Sequence, residues 1–330
     1  TKDSPLETIY IGGGTPSLLP VPQLKTIINA IFGIAGREHI EEVTIEVNPD
    51  DVTEKYACDI YSLGVNRVSI GIQSFIDSEL AAINRRHNAA QAVEAVETFK
   101  RAGISNISID LIFGLPGQTL DSLAKSLDMA IALDVQHISV YNLTYEEGTR
   151  LWVMREKGTV HETDEETVVK MYDLVRTRLA QAGFEHYEIS NFAKPGFRSK
   201  HNSNYWNGTP YLGLGAAAHS FDGRERMYNC SNLKQYLEKI EGGEVAFTAE
   251  NEAWWERYDE MVMVRLRTSD GLDLGLVERA FGSSVASRLQ EKAKAFVSQG
   301  LLKQQGRTLC LSEKGVLVSD YIIRELMWDA

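Results

Sequence analysis

The residues with the clearest chemical potential are the run Gly12-Gly13-Gly14-Thr15-Pro16-Ser17. It follows the β-branched stretch Thr8-Ile9-Tyr10-Ile11 directly and precedes a helical pattern. Its backbone can therefore approach a ligand closely and present N–H and C=O groups without a Cβ in the way. It lacks the GK[ST] ending of a phosphate loop and the spacing of a GxGxxG dinucleotide turn, which removes the two commonest nucleotide readings. A tight turn without a ligand is the plain alternative. Gly213-Leu214-Gly215-Ala216-Ala217-Ala218 imitates a dinucleotide fingerprint but has no convincing strand before it. Cys58, Cys230 and Cys310 match no zinc, cluster or CxxC spacing and read as three reduced, buried thiols.

The elements that must hold the glycine loop alternate strand and helix. Strand patterns fall at Thr8–Ile11, Val43–Val47, Arg67–Ile72, Ile104–Phe113 and Gln136–Leu143, separated by helical periodicity through Leu24–Ile34, Thr53–Leu63, Gln91–Ala102 and Leu120–Leu133. Repeated βα units build either a partial barrel or an open doubly wound sheet. Side-chain parity favours the barrel. Val43, Ile45 and Val47 face one way and Thr44 and Glu46 the other. The same split sets Val68, Ile70 and Ile72 against Ser69, Gly71 and Gln73, and Ile107, Ile109 and Leu111 against Ser108 and Asp110. Polar residues Glu46, Gln73 and Asp110 toward the C-terminal ends of successive strands suit a barrel with a ligand in its mouth, although each alone could simply cap a helix.

After Thr144 the pattern changes: a helix over Glu165–Gln181 precedes an irregular, aromatic and Gly-rich stretch, Asn191–Phe221. The expected division is a partial barrel over 1–190 and a C-terminal α+β domain over 191–330. The latter ends in three helices from Trp254, a hairpin through Gly306 and a last helix near Met327, an order like a winged helix. Its third helix offers only Arg288, Lys292 and Lys294 beside Glu291, so a structural or docking role is favoured over DNA binding.

Of the 330 residues, 43% are hydrophobic and 24% charged, which is ordinary for a globular chain. With 46 acidic against 34 basic residues the net charge is −12, which disfavours nucleic acid as a partner. No run approaches the roughly 18 apolar residues of a membrane span. A cytoplasmic location is expected, and peripheral membrane contact stays open. The chain opens on Thr1 and reaches a strand by Thr8, so a preceding segment is expected to have been removed.

IYIGGGTPS, TIEVNPD, RVSIGIQSF, Asn84-Arg85 and ISIDLIFGLPGQT stand in the order of the coproporphyrinogen oxidase-like radical S-adenosylmethionine (SAM) proteins, which this sequence resembles over nearly its whole length. The resemblance implies a partial TIM-like (β/α) radical SAM barrel. It also implies SAM bound by Gly13, Gly14 and Thr15, with Glu46, Gln73, Arg85 and Asp110 on positions that contact its amino, carboxylate or ribose groups. Such groups suit it: a carboxylate fits an Arg fork, and an ammonium fits a carboxylate or carbonyls. His201-Asn202-Ser203-Asn204-Tyr205-Trp206 matches the HNxxYW signature of the HemW-like branch. That match implies heme handling by His201, Asn202, Tyr205 and Trp206, and heme-accepting proteins as partners. An imidazole can coordinate iron and an aromatic pair can cover a porphyrin; a hydrogen-bonded histidine in an aromatic loop is the bland reading, and His219 is a second candidate. The alternative within the family is oxidative decarboxylation of coproporphyrinogen, and outside it a cluster-free protein that binds a phosphorylated metabolite. The family's [4Fe–4S] cluster takes three thiolates from CxxxCxxC, expected upstream of Thr1, so reductive SAM cleavage is not expected of the chain as given.

Overall fold

The computed structural model describes residues 5–328; Thr1, on which the expectation of a preceding segment turns, lies outside them. The chain divides into two units, Thr1–His201 and Asn202–Ala330.

In the first unit the strands are β1 (Thr8–Ile11), β2 (Glu42–Val47), β3 (Arg67–Gln73), β4 (Asn106–Phe113), β5 (His137–Asn142), β6 (Glu185–Glu188) and β7 (Asn191–Ala193). Between and after them run the helices α1 (Val21–Ala35), α2 (Glu54–Ser62), α3 (Asp77–Ala82), α4 (Ala89–Arg101), α5 (Leu120–Ala132), α6 (Arg150–Glu156) and α7 (Glu165–Gln181), and α8 (Lys200–Asn207) runs from this unit into the second. One sheet holds all seven strands in the order β1-β2-β3-β4-β5-β7-β6. The first five are parallel, each beside its predecessor in sequence. A doubly wound sheet must reverse its strand order at a switch point; this one does not, so successive right-handed crossovers put their helices on one face and leave the other inward, as in a barrel. The pair β7 and β6 closes the far end antiparallel. Neither strand is legible in the sequence reading, which left Asn191 onward irregular; their pairing is non-local, and β6 is interrupted by a register shift between His186 and Glu188.

The helix-packing face is aliphatic and closed: Val43, Ile45, Val68, Ile70, Ile72, Ile107 and Ile109 are all buried. Each such side chain removed from water contributes roughly 1.5–3 kcal/mol before entropy is counted. Local signals start the helices. Thr53 accepts from the Tyr56 amide at α2, and Asn88 with Gln91 and Thr119 with Ser122 form capping boxes at α4 and α5. The turn after β4 is pinned from within. Gln118 Oε1 accepts from the Gly114 amide at 2.8 Å, and its Nε2 donates to the buried Glu79 at 3.0 Å, which also accepts from Ser74 and Ser122. Part of the FGLPGQT motif is thus structural.

The second unit holds β8 (His219–Phe221), β9 (Arg226–Asn229), α9 (Leu233–Glu241), β10 (Phe247–Ala249), α10 (Trp254–Leu266), β11 (Leu272–Asp273), α11 (Leu274–Phe281), α12 (Ser283–Ser298), β12 (Leu302–Gln305), β13 (Thr308–Leu311), α13 (Glu313–Val316) and α14 (Ser319–Leu326). The sheet β10-β9-β8 and α9 are not among the elements expected from the sequence; strands of three or four residues carry little periodicity. The winged-helix-like end has its own core, with Val262, Leu266, Val277, Leu289, Leu309 and Ile322 fully buried. Its third helix, α12, uses its basic residues internally: Arg288 lies 3.9 Å from the Trp328 ring centroid, Lys292 Nζ donates to the Glu325 and Met327 carbonyls, and Lys294 pairs with Glu291. The cysteines correct the expectation of burial. Cys58 is exposed on α2, and Cys230 and Cys310 are half-buried free thiols.

Candidate functional site

The inward face of β1–β5 is polar from edge to edge. Its rows follow the ladder: Tyr10, Thr44, Arg67 and Asn106 are successive cross-strand partners, as are Glu46, Ser69, Ser108 and His137. The lower part is sealed, with Thr44, Arg67, Ser108 and His137 all buried. His137 is held by Ser108 Oγ at 2.7 Å and Tyr187 Oη at 2.8 Å, and burial drives its pKa well below the usual imidazole range, so it stays neutral. Sequence reasoning missed Arg67 and His137, although the same parity argument covers both.

Above this layer lies the glycine loop. Gly13 and Gly14 have φ of 83° and 67°, the left-handed region, and a Cβ built on either would meet nothing within 4 Å. These glycines are required by backbone conformation and leave an open cradle. Gly12 is constrained differently: its Cβ would stand 2.5 Å from Tyr10 Cε1 and 2.9 Å from Glu46 Oε1. Glu46 reaches up beside the loop, accepting from Tyr10 Oη at 2.7 Å and from the Gly13 amide at 3.1 Å. Thr15 is half-buried and leads into a short 3-10 turn, Pro16–Leu18. Ser17 Oγ ties that turn to the next strand's loop, donating to Asp51 at 2.6 Å.

Asn84-Arg85-Arg86 sorts its two cations. Arg86 is exposed and pairs with Asp50 at 2.8 Å and Asp51 at 3.3 Å. Arg85 turns inward, its Nη2 donating to the Gly71 carbonyl at 2.6 Å and to Asn48 Oδ1 at 3.2 Å, while its buried Nε has no protein partner. Burial lowers its pKa, with Asp50 and Asp110 opposing. Gly71 admits this approach, since a Cβ there would lie 2.9 Å from Arg85 Nη2 and 3.0 Å from Gln73 Nε2. Gln73 itself adopts φ 70° just after a register shift in β3. A non-glycine residue in that region carries strain of about 1–2 kcal/mol, the kind found where a side chain must be aimed.

Asp110 is half-buried, with Ser69 Oγ 3.3 Å from both its oxygens. Desolvation pushes its pKa from 3.8 up to about 6, against the opposing pull of Ser139, Arg67 and Ser69. The folded state therefore holds this proton more tightly than the unfolded chain does. The favourable contribution is complete below about pH 4 and is lost as pH rises to about 6. Asp110→Asn is accordingly expected to be more stable than the parent at pH 7.5 by on the order of 2 kcal/mol, and to lose that advantage near pH 4. Urea midpoints at the two pH values check this; an equal difference at both would overturn it.

The structure thus brings Gly13, Gly14, Thr15, Glu46, Gln73, Arg85 and Asp110 to one end of one sheet face. His201 closes the first unit: its ring stacks on Tyr10 with centroids 4.9 Å apart, and its Nδ1 lies 2.9 Å from Thr8 Oγ1. It sits on α8 rather than in a loop. That helix starts on a carboxylate from elsewhere in the chain: buried Glu42 accepts from the Lys200 and His201 amides at 2.9 and 3.0 Å, and from Ser199 Oγ. Thr8 and Glu42 are themselves ladder partners. Asn202, Tyr205 and Trp206 belong to the second unit. There the half-exposed Tyr205 meets the Tyr211 ring edge-on at 4.7 Å, and Arg267 lies 5.7 Å from the Trp206 ring centroid. His219 is exposed on β8 beside Tyr228. The dinucleotide-like run at Gly213 is a tied loop: Gly213 N donates to Ser220 Oγ, and Asn229 Nδ2 donates to the Gly213 and Gly215 carbonyls.

Residues 2–130 match the Radical SAM superfamily, and residues 254–318 the HemN C-terminal domain. The Bacillus subtilis heme chaperone HemW is 34% identical over 98% of this chain and 86% of its own length, and the Lactococcus lactis protein of that name is 33% identical over 98% and 85%. This chain belongs to the HemW family. The coproporphyrinogen III oxidase HemN of Escherichia coli, a radical SAM enzyme, shares the fold, with a TM-score of 0.79 at 22% identity over 98% of this chain and 78% of that one.

Radical SAM proteins such as the HemW family imply SAM and a [4Fe–4S] cluster as cofactors. For SAM the donor set fits: an open cradle at Gly13 and Gly14, a carboxylate at Glu46, a guanidinium edge at Arg85 and a carboxyl at Asp110. For the cluster, no group of three or more His, Cys, Asp or Glu among the described residues could hold a metal ion. No helix among these residues is long and apolar enough to cross a membrane.

Proposed function

We propose that this HemW-family chain is a heme chaperone that binds SAM at the mouth of its sheet and takes heme as cargo through the HNxxYW helix for transfer to acceptor proteins. The observation that carries the reading is the placement of His201: the histidine of the heme signature stacks on Tyr10, and Tyr10 donates to the carboxylate beside the glycine loop. Bound SAM would supply a sulfonium and an adenosyl group at the barrel mouth. The chain's own residues do the holding. Glu46 accepts from the ligand's ammonium, and Gly13 and Gly14 let the backbone come close. Arg85 meets the carboxylate, Asp110 and Gln73 accept or donate at the ribose hydroxyls, and Thr15 sets the loop's exit. For heme, His201 is neutral, since burial lowers its pKa, and a neutral imidazole is the form that binds iron. Asn202, Tyr205 and Trp206 follow His201 on the same helix.

The test is titration of the full chain with hemin, followed at the Soret band. A shifted band saturating near one equivalent, weakened in His201→Ala, is expected. Linear, unsaturable absorbance identical in the two proteins would remove the heme-chaperone reading.

A further inference from the structure

Tyr10 stands between the glycine loop and His201. Its ring touches three features at once. It lies under Gly12, where any Cβ would fall 2.5 Å from Cε1; its hydroxyl donates to Glu46 at 2.7 Å; and its face stacks on His201 at 4.9 Å with an interplanar angle of 21°. The hydroxyl is kept protonated, and so a donor, by burial and by Glu46. Glu46 in turn accepts from the Gly13 amide, so a single carboxylate is shared between the cradle and Tyr10. His201 is anchored at its ring by Thr8 Oγ1, 2.9 Å from Nδ1, and at its backbone amide, which donates to the Glu42 carboxylate at the start of α8. The imidazole thus meets Thr8 Oγ1 at one nitrogen and stacks on a ring whose hydroxyl is held by Glu46.

We propose that Tyr10 is a positioning residue that transmits the charge and placement of Glu46 to His201, so that occupancy of the glycine-loop pocket is sensed by the helix bearing the HNxxYW residues. The sensing role rests on the function proposed above; the link between the two side chains does not. An ammonium docked on Glu46 draws electron density from the carboxylate and weakens the acceptor that Tyr10 uses. Tyr10 then shifts against the imidazole it stacks on. By linkage, a change in affinity runs equally in the other direction, so whatever engages His201 alters binding at Glu46.

The experiment is a double-mutant cycle read by NMR on the full chain labelled at histidine. The His201 Cε1–H peak is assigned by its loss in His201→Asn. Glu46→Gln, which neutralises the carboxylate as a docked cation would, is expected to move that peak in the parent. In the Tyr10→Phe background, which keeps the stack and removes the hydroxyl, the displacement is expected to be largely lost. The peak of His137, buried in the same sheet, should hold in every variant and reports that each is folded. Equal displacement with and without the Tyr10 hydroxyl, or none in the parent, overturns the relay. Addition of SAM separates the two ideas: a positive cycle in a chain that binds no SAM retains the Tyr10 link and sinks the SAM half of the proposed function. SAM binding with a null cycle does the reverse.

Discussion

Arg85→Ala is expected to raise the dissociation constant for SAM by about 10- to 100-fold, the equivalent of roughly 1.5–3 kcal/mol for a hydrogen bond to a charged group. The adjacent Arg86→Ala should change it little. The contrast follows from where the two guanidiniums go: Arg86 spends its charge on Asp50 and Asp51 at the surface, whereas Arg85 is drawn inward by the Gly71 carbonyl and Asn48, and its buried Nε has no protein partner. Arg85→Lys should recover little, because a point ammonium cannot serve a backbone carbonyl, an amide and a carboxylate from one planar fork. Equilibrium dialysis with labelled SAM on all three variants is the check. Equal losses for Arg85→Ala and Arg86→Ala would mean that the pair acts only as bulk positive charge, and the assignment of Arg85 would fall.

A larger effect on stability is expected at a residue with no ligand role. Glu42→Ala removes a buried acceptor from two amides and a hydroxyl at the start of α8. Each buried donor left unsatisfied costs about 1–3 kcal/mol, so a loss on the order of 3–5 kcal/mol is expected for the unit that holds β1–β7. Glu42→Gln should cost less, since its amide oxygen still accepts. Urea unfolding followed by far-ultraviolet circular dichroism measures both, and hemin titration of Glu42→Ala below its transition should show weakened binding. A loss under about 1 kcal/mol would show that α8 starts without this carboxylate.

These two residues also mark what can be read from the sequence and what cannot. The five parallel strands are legible because alternation of Val and Ile with Ser, Thr, Glu and Asp is a local signal, and it places Glu46 and Asp110 on one face. The same alternation, carried one residue further, would have put Tyr10 and Glu42 on that face. Tyr10 reads as an ordinary strand aromatic, and the strand pattern begins at Val43, one residue after Glu42. The helix over Lys200–Asn207 was not legible at all. HNSNYW has no apolar periodicity, and the carboxylate that starts the helix lies on a strand far back in the chain. The resemblance picks out Arg85 rather than Arg86, but residue type alone does not; its inward turn depends on Gly71, where a Cβ would lie 2.9 Å from Arg85 Nη2.

The monotone order β1 to β5 has a consequence in time. Each strand finds its partner in the segment just before it, so the pocket residues from Tyr10 to Asp110 can assemble in the order in which they leave the ribosome, with short loops to close. The bond between Glu42 and the His201 amide spans 159 residues and cannot form until that whole stretch has been made. The HNxxYW helix is therefore the last of these parts to arrive. A nascent chain passes through an interval in which the glycine-loop pocket exists without the histidine that will stack on Tyr10.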